Sequence, residues 1–141
     1  MFHKPYETRL SLWQDFRIEL DASSDPLQSV IDLYQNAPTV SINCDPWDPS
    51  TWPTPWELLA ENQYCEYCII LGMCYTLQLT DKFSQEIFEI HIVIDKENSD
   101  RMYLLHVGNM VLGYYYNTYM HRNDLPPGLH SEVVHRLPGL T

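Results

Sequence analysis

WPTPWELLAENQYCEYCIILG, residues 52–72, carries the chain from a proline-rich stretch into its longest apolar segment. Thr54 before Pro55, with Glu57 three residues after Thr54, is a capping box, which predicts a short helix through Leu59 to about Glu61. Asn62 then breaks that helix or caps the next one. From Gln63 to Leu79 nearly every residue is apolar or aromatic and Glu66 is the one charge, so the spacing predicts a central helix buried on most sides. With Asn62 as its cap, Cys65 stands at the third helical position. There, unpaired backbone N–H groups and the helix dipole favour thiolate over thiol. Cys65 is thus a packed thiol or a nucleophile at the mouth of a helix.

Downstream the period changes to two. Phe88, Ile90, Ile92 and Ile94 alternate with Glu89, His91, Val93 and Asp95, which predicts a strand over 86–95. Lys96 to Arg101 reads as a polar turn. Gly108-Asn109 between Tyr103–Val107 and Met110–Tyr116 is a two-residue hairpin signal, predicting a second and third antiparallel strand over 102–116. The tail from 118 to 141 holds Pro126, Pro127, Gly128 and Pro138 and predicts one short helix near 132–136.

Upstream, Phe16, Ile18 and Leu20 alternate with Arg17 and Glu19, which suits a half-buried strand. Asp25-Pro26 opens a helix whose apolar face is Val30, Ile31, Leu33 and Tyr34, ended by Asn36, Ala37 and Pro38. Val40, Ile42 and Cys44 suit a short extended piece. Asp45 to Pro55 holds four prolines, two tryptophans and no glycine, a stiff loop pinned by aromatic anchors. The organisation is a single domain, 1–141. Residues 1–51 hold a strand, a helix and this loop, 52–117 the core, and 118–141 the Pro-rich tail.

With 141 residues, 45% of them hydrophobic, the chain is large enough for an ordinary core. Its net charge is -11, and ten acidic residues but no Lys or Arg lie between Arg17 and Lys82. A polyphosphate partner is repelled by such a surface, so no nucleic-acid binding is expected. No apolar run reaches the length of a membrane helix and Met1–Trp13 lacks a signal-peptide pattern, so the expectation is no membrane and a cytoplasmic location with reduced thiols. Cys65-x-x-Cys68 has the spacing of a redox or zinc pair. No second pair exists, and His121, His130 and His135 are irregularly spaced, so no metal is expected. His106, close to the hairpin turn, reads as structural.

Trp52, Thr54, Pro55, Glu57, Cys65, Glu66 and Tyr67, in this order and spacing, resemble the nucleophile region of bacterial transglutaminase-like cysteine proteinases. In that family a W-x-T-P-x-E opening leads to a G-D-C-E-D-Y motif on the central helix. Gly72 falls at the family's helix end, His91 where its histidine opens the next strand, and Val111-Leu112 where a pair precedes its third member. The resemblance covers 52–114. It implies an α+β, papain-like (transglutaminase-like) fold with a central helix packed on an antiparallel sheet, and no cofactor.

It also implies Cys65 as nucleophile and His91 as base. Gln63-Tyr64 replaces the family's Gly-Asp, and Gly113 stands where the orienting acid belongs, a loss worth orders of magnitude in rate. Glu89 and Asn117 are the remaining candidates for that third member. The expectation is therefore a non-catalytic interaction or assembly protein on this scaffold, binding a protein partner or a second copy through Trp47, Trp52, Trp56 and Tyr115. The alternative is a cysteine protease or acyltransferase using Cys65 and His91. The acidic, Trp- and Tyr-rich style is also similar to small tailed-phage proteins, which would make the chain a virion component.

Overall fold

Residues 1–138 are described by a computed structural model. Among them the fold is α+β, with four helices and one five-stranded antiparallel sheet of order β4-β3-β2-β1-β5. The helices are α1 (Tyr6–Ala22), α2 (Pro26–Tyr34), α3 (Pro55–Glu61) and α4 (Glu66–Gln78); the strands are β1 (Phe88–Asp95), β2 (Asp100–Val107), β3 (Met110–Leu112), β4 (Met120–His121) and β5 (Leu129–Leu137). No helix among the described residues is long and apolar enough to cross a membrane.

The first twenty residues, read as holding a strand, are helical instead. Tyr6–Ala22 is rich in Leu, Arg and Glu and free of Gly and Pro, so helix propensity accumulates along it. Ile18, assigned with Phe16 and Leu20 to a buried side by the alternation, is 62% exposed, whereas Arg9, Trp13 and Leu20 are buried. The helix therefore buries a thin stripe and has little amphipathic signature. Arg9 reaches across to α3 and donates to the Leu59 and Ala60 carbonyls at 3.1–3.3 Å and to the Lys4 carbonyl at 2.6 Å. It thereby satisfies carbonyls that the end of α3 leaves unpaired.

α2 and α3 form where the sequence places them. Asp25 accepts from the Gln28 N–H at the start of α2, and Thr54 and Glu57 complete the capping box of α3. Asn62 does not cap the next helix. It ends α3 in the left-handed conformation at φ 53, which Asn tolerates better than most residues. Gln63 and Tyr64 then run extended, Tyr64 pairing with Pro38 and Val40 in a short parallel bridge. α4 consequently begins later than the sequence suggests, with Cys65 at its N-cap rather than inside its first turn. The extended piece read over residues 40–44 reduces to that bridge at Thr39.

α4 is buried almost all round, as its unbroken apolar composition requires. Its closest helical neighbour meets it at Gly72, where a Cβ would stand 2.5 Å from Tyr34 Cε1; only glycine lets the Tyr34 ring lie against the helix. One hydroxyl joins three helices there. Thr76 Oγ1 donates to the Gly72 carbonyl at 2.7 Å, receives the Trp13 indole N–H at 3.0 Å and lies 3.0 Å from Tyr34 Oη.

The sheet has two distinct faces. Phe88, Ile90, Leu105, Val107 and Leu112 point towards α4 and share its core. Val93, Leu104 and Val111 point the other way, packed with Met102, Tyr114, Met120, Leu125 and Leu129. β2 and β3 join through Gly108 at φ 59, the hairpin the sequence predicts. β3, however, stops at Leu112. Gly113, at φ 106, turns the chain out of the ladder, so Tyr114–Tyr116 lie outside the third strand, which the sequence extends to 116.

The tail forms no helix at 132–136; these residues lie in β5, paired with β1 along its whole length. One extra residue, Glu132, makes a bulge opposite Ile92 and Val93.

Candidate functional site

Strand alternation separates the two residues that the catalytic reading needs together. Cys65 packs in the core shared by α4, Phe88 and Ile90. His91, the next residue along β1, therefore projects from the opposite face. It stacks on the His106 ring with centroids 3.8 Å apart and joins Glu89 and Ser131. A helix on one face does not bring Cys65 within reach of a side chain on the other, so the expected thiol–imidazole pair is not assembled.

Glu89 does reach His91, its Oε1 standing 3.2 Å from Nε2, closer than the spacing along one strand suggests. Its other oxygen accepts from Arg136 at 3.3 Å, the residue directly opposite it on β5. His91, and to a lesser degree Arg136, holds the Glu89 carboxyl below the usual carboxylate range. Ser131 Oγ lies 2.8 Å from His91 Nδ1. This order, hydroxyl to imidazole to carboxylate, fixes the ring from both nitrogens. Burial, and then the neighbouring His91, push His106 down to about 4. Asn117, the other third-member candidate, is exposed; its carbonyl accepts from Gln28 at the start of α2. Gly113 has no room for an acid, since a Cβ there would meet the Tyr103 carbonyl oxygen at 2.6 Å.

Cys65 has other company. Its sulfur lies 4.0 Å from that of Cys44, which lies 3.6 Å from that of Cys68, and all three sulfurs fall within 4.8 Å of one another. Cys65 and Cys68 sit one turn apart at the start of α4, on one side of the helix. Cys44 arrives from the loop before the proline-rich stretch, which Asn43 fixes by donating to the Gln63 carbonyl at 3.1 Å. Asn43 Oδ1 in turn accepts from Cys68 Sγ at 3.4 Å.

All three thiols are buried, at 8%, 5% and 0% exposure for Cys44, Cys65 and Cys68. Hydrogen bonds from Cys44 and then Cys68 pull Cys65 down to about 2. The same bond with Cys65 pushes Cys44 up to about 12, and bonds with Cys44 and Cys65 push Cys68 up as well. Ionising any one of the three is thus coupled to the other two, and Cys65, at the N-cap of α4, is the thiol whose charged form its neighbours favour. The Cys65–Cys68 spacing is visible in the sequence, whereas the only signal for Cys44 is a thiol 21 residues upstream of Cys65.

The aromatic residues proposed for partner binding lie in separate surroundings. Trp47 is 41% exposed with the Arg101 guanidinium over its ring, and Trp56 is 49% exposed against Trp13. Trp52 is partly buried, packed on Tyr67 and His135. Tyr115 is 50% exposed and lines a groove of about 370 Å³ between α2, α4 and the turn after β3. Ile31, Ile69, Ile70 and Met73 form apolar wall, Glu66 is the one charged lining residue, and no Lys or Arg contributes.

Fold and site together define an α+β protein with a buried three-thiol cluster and an open aromatic groove. No protein-family model matches the chain, and no curated protein matches its sequence.

Proposed function

We propose that the chain is a non-catalytic interaction protein, built on a transglutaminase-like scaffold without that family's working thiol–imidazole pair, and that it takes a basic segment of a partner protein into the Tyr115 groove. The observation that carries this reading is the placement of Cys65 and His91 on opposite faces of the sheet. A base that cannot approach the thiol cannot activate it.

The groove supports the second half of the proposal. Its apolar wall suits an aliphatic or aromatic anchor, and Tyr115 and Tyr116 form an aromatic rim exposed at 50% and 81%. The net charge of -11 and the Glu66 carboxylate favour a cationic partner. A second copy would bring the same charge and be repelled. The style shared with small tailed-phage proteins makes a virion one assembly in which to look for that partner.

The test is fluorescence anisotropy with labelled peptides in which lysine and arginine flank one aromatic residue. Binding that weakens at least about tenfold in Tyr115→Ala, and that weakens with added salt, is the expected result. A stable homodimer in sedimentation, or turnover of an activated ester that disappears in Cys65→Ser, would overturn the proposal.

A further inference from the structure

We propose that Cys44, Cys65 and Cys68 form a three-thiolate site for a soft d10 cation, zinc(II) or copper(I), that pins the proline-rich loop to the start of α4. The distances fit. Thiolates bound to zinc at about 2.3 Å lie about 3.8 Å apart in a tetrahedron and about 4.0 Å apart in a trigonal plane. The cysteine sulfurs stand 3.6 and 4.0 Å apart, with every separation under 4.8 Å. Small side-chain rotations bring a single ion to all three.

Ligand chemistry points the same way. Thiolates select zinc and copper(I) over magnesium or calcium, which prefer oxygen. Copper(I) is satisfied by three sulfurs. Zinc would need a fourth donor, for which the Asn43 side-chain oxygen beside Cys68, or water, is available. An oxygen at about 2.1 Å and a sulfur at about 2.3 Å from one tetrahedral ion are about 3.6 Å apart, and Asn43 Oδ1 lies 3.4 Å from Cys68 Sγ.

The environment is that of a closed structural site. The three thiols are buried, and the apolar core residues around them exclude water. Cys65 and Cys68 lie at the start of α4, the end of the helix where the dipole favours negative charge. Cys74, equally buried on the same helix, lies outside the cluster and serves as an internal control.

Loop 40–53 gives the ion a structural task. Most of its hydrogen bonds are local and exposed, such as those among Asp45, Asp48 and Thr51. Cys44 is the buried residue of this loop, and Trp52 packs against the core further along it. A cation shared with Cys65 and Cys68 would join the loop to α4 by bonds between segments far apart in sequence.

The experiment is cobalt(II) titration of the whole, reduced chain, followed by competition with zinc(II) and, in a separate arm, copper(I) binding against a copper(I)-selective chelator. One equivalent of cobalt with an intense thiolate-to-metal charge-transfer band, displaced by one equivalent of zinc, is the expected result in the zinc arm. Stoichiometric copper(I) uptake without cobalt or zinc binding assigns the site to copper(I). Removing a residue that only orients a metal ligand lowers affinity about 10–100-fold, so Cys44→Ser, which removes a ligand, should lower it more than about 100-fold, and Cys74→Ser should leave it unchanged. Failure of the wild-type chain to take up any of the three ions overturns the proposal without need of a variant. So does uptake that survives Cys44→Ser, or a Cys44–Cys68 disulfide that persists in strong reductant.

Discussion

Replacing Gly113 by Asp restores, in sequence, the acid that the family resemblance lacks, and the geometry predicts that it damages the fold without restoring chemistry. Gly113 holds φ 106, and a Cβ there would lie 2.6 Å from the Tyr103 carbonyl oxygen and 3.0 Å from Ile70 Cδ1. A non-glycine residue in such a region costs about 1–3 kcal/mol. The contact with Tyr103 is with strand backbone and adds overpacking of about 1–3 kcal/mol. Taking about 3 kcal/mol for both, and about 4 °C per kcal/mol for a chain of this size, Tm should fall by about 12 °C. Gly113→Ala isolates the backbone and steric part and should account for most of the loss.

Gly128→Ala is the control. Its Cβ would meet only the Glu97 side chain, at 3.4 Å or beyond, and stability should stay within about 0.5 kcal/mol of the parent. Thermal and urea denaturation of the three variants, with ester hydrolysis measured alongside, is the assay. Equal stability of Gly113→Ala and the parent, or hydrolysis that appears in Gly113→Asp and vanishes in a Cys65→Ser double variant, would refute the reasoning.

Gly72→Ala should cost about 2–3 kcal/mol by thermal unfolding, because the Tyr34 ring it would strike is fixed by Thr76, Phe2 and Tyr64. Arg9→Met should cost about 2–4 kcal/mol in urea, since it leaves the Leu59, Ala60 and Lys4 carbonyls without their donor; Arg9→Lys should recover only part of this. For His106 the folded value of about 4 lies below the ordinary 6.5, so the unfolded chain binds the proton first and stability falls as pH drops from about 6.5 to 4. The groups facing it are His91 and Arg122, which oppose its charge, and Glu89, which favours it. Because the ring is partly exposed, the loss should be about 1–2 kcal/mol. It should vanish in His106→Gln, and a pH-independent parent would exclude it.

The parts of the fold written in local chemistry were legible: the Asp25 and Thr54 caps, the period-two run of β1, and the Gly108-Asn109 turn each depend on a few adjacent residues. α1 was not legible, because three alternating apolar residues imitate a strand while the helix buries Trp13 and Leu20 seven residues apart. β5 was not legible either, since its partner β1 lies some forty residues upstream and only their pairing makes residues 132–136 extended. The same holds for the site. Cys65 and Cys68 share a helical turn and could be paired on paper, whereas Cys44 joins them only through the tertiary path of the loop. His91 shows the converse, for its periodicity put it on the face away from Phe88 and Ile90, and that geometry outweighs its match to a motif.

The order of strands has a consequence for how the molecule is made. β1 lies second from one side of the sheet, between β2 and β5, yet the strand that covers it is built from residues 129–137. During synthesis β1 and its hairpin partner are complete while one flank of β1 still offers a full row of free amides and carbonyls. A polypeptide halted before Leu129 would carry that open flank permanently, and strands of this kind recruit copies of themselves. A premature stop there should therefore yield inclusion bodies instead of a shortened soluble product.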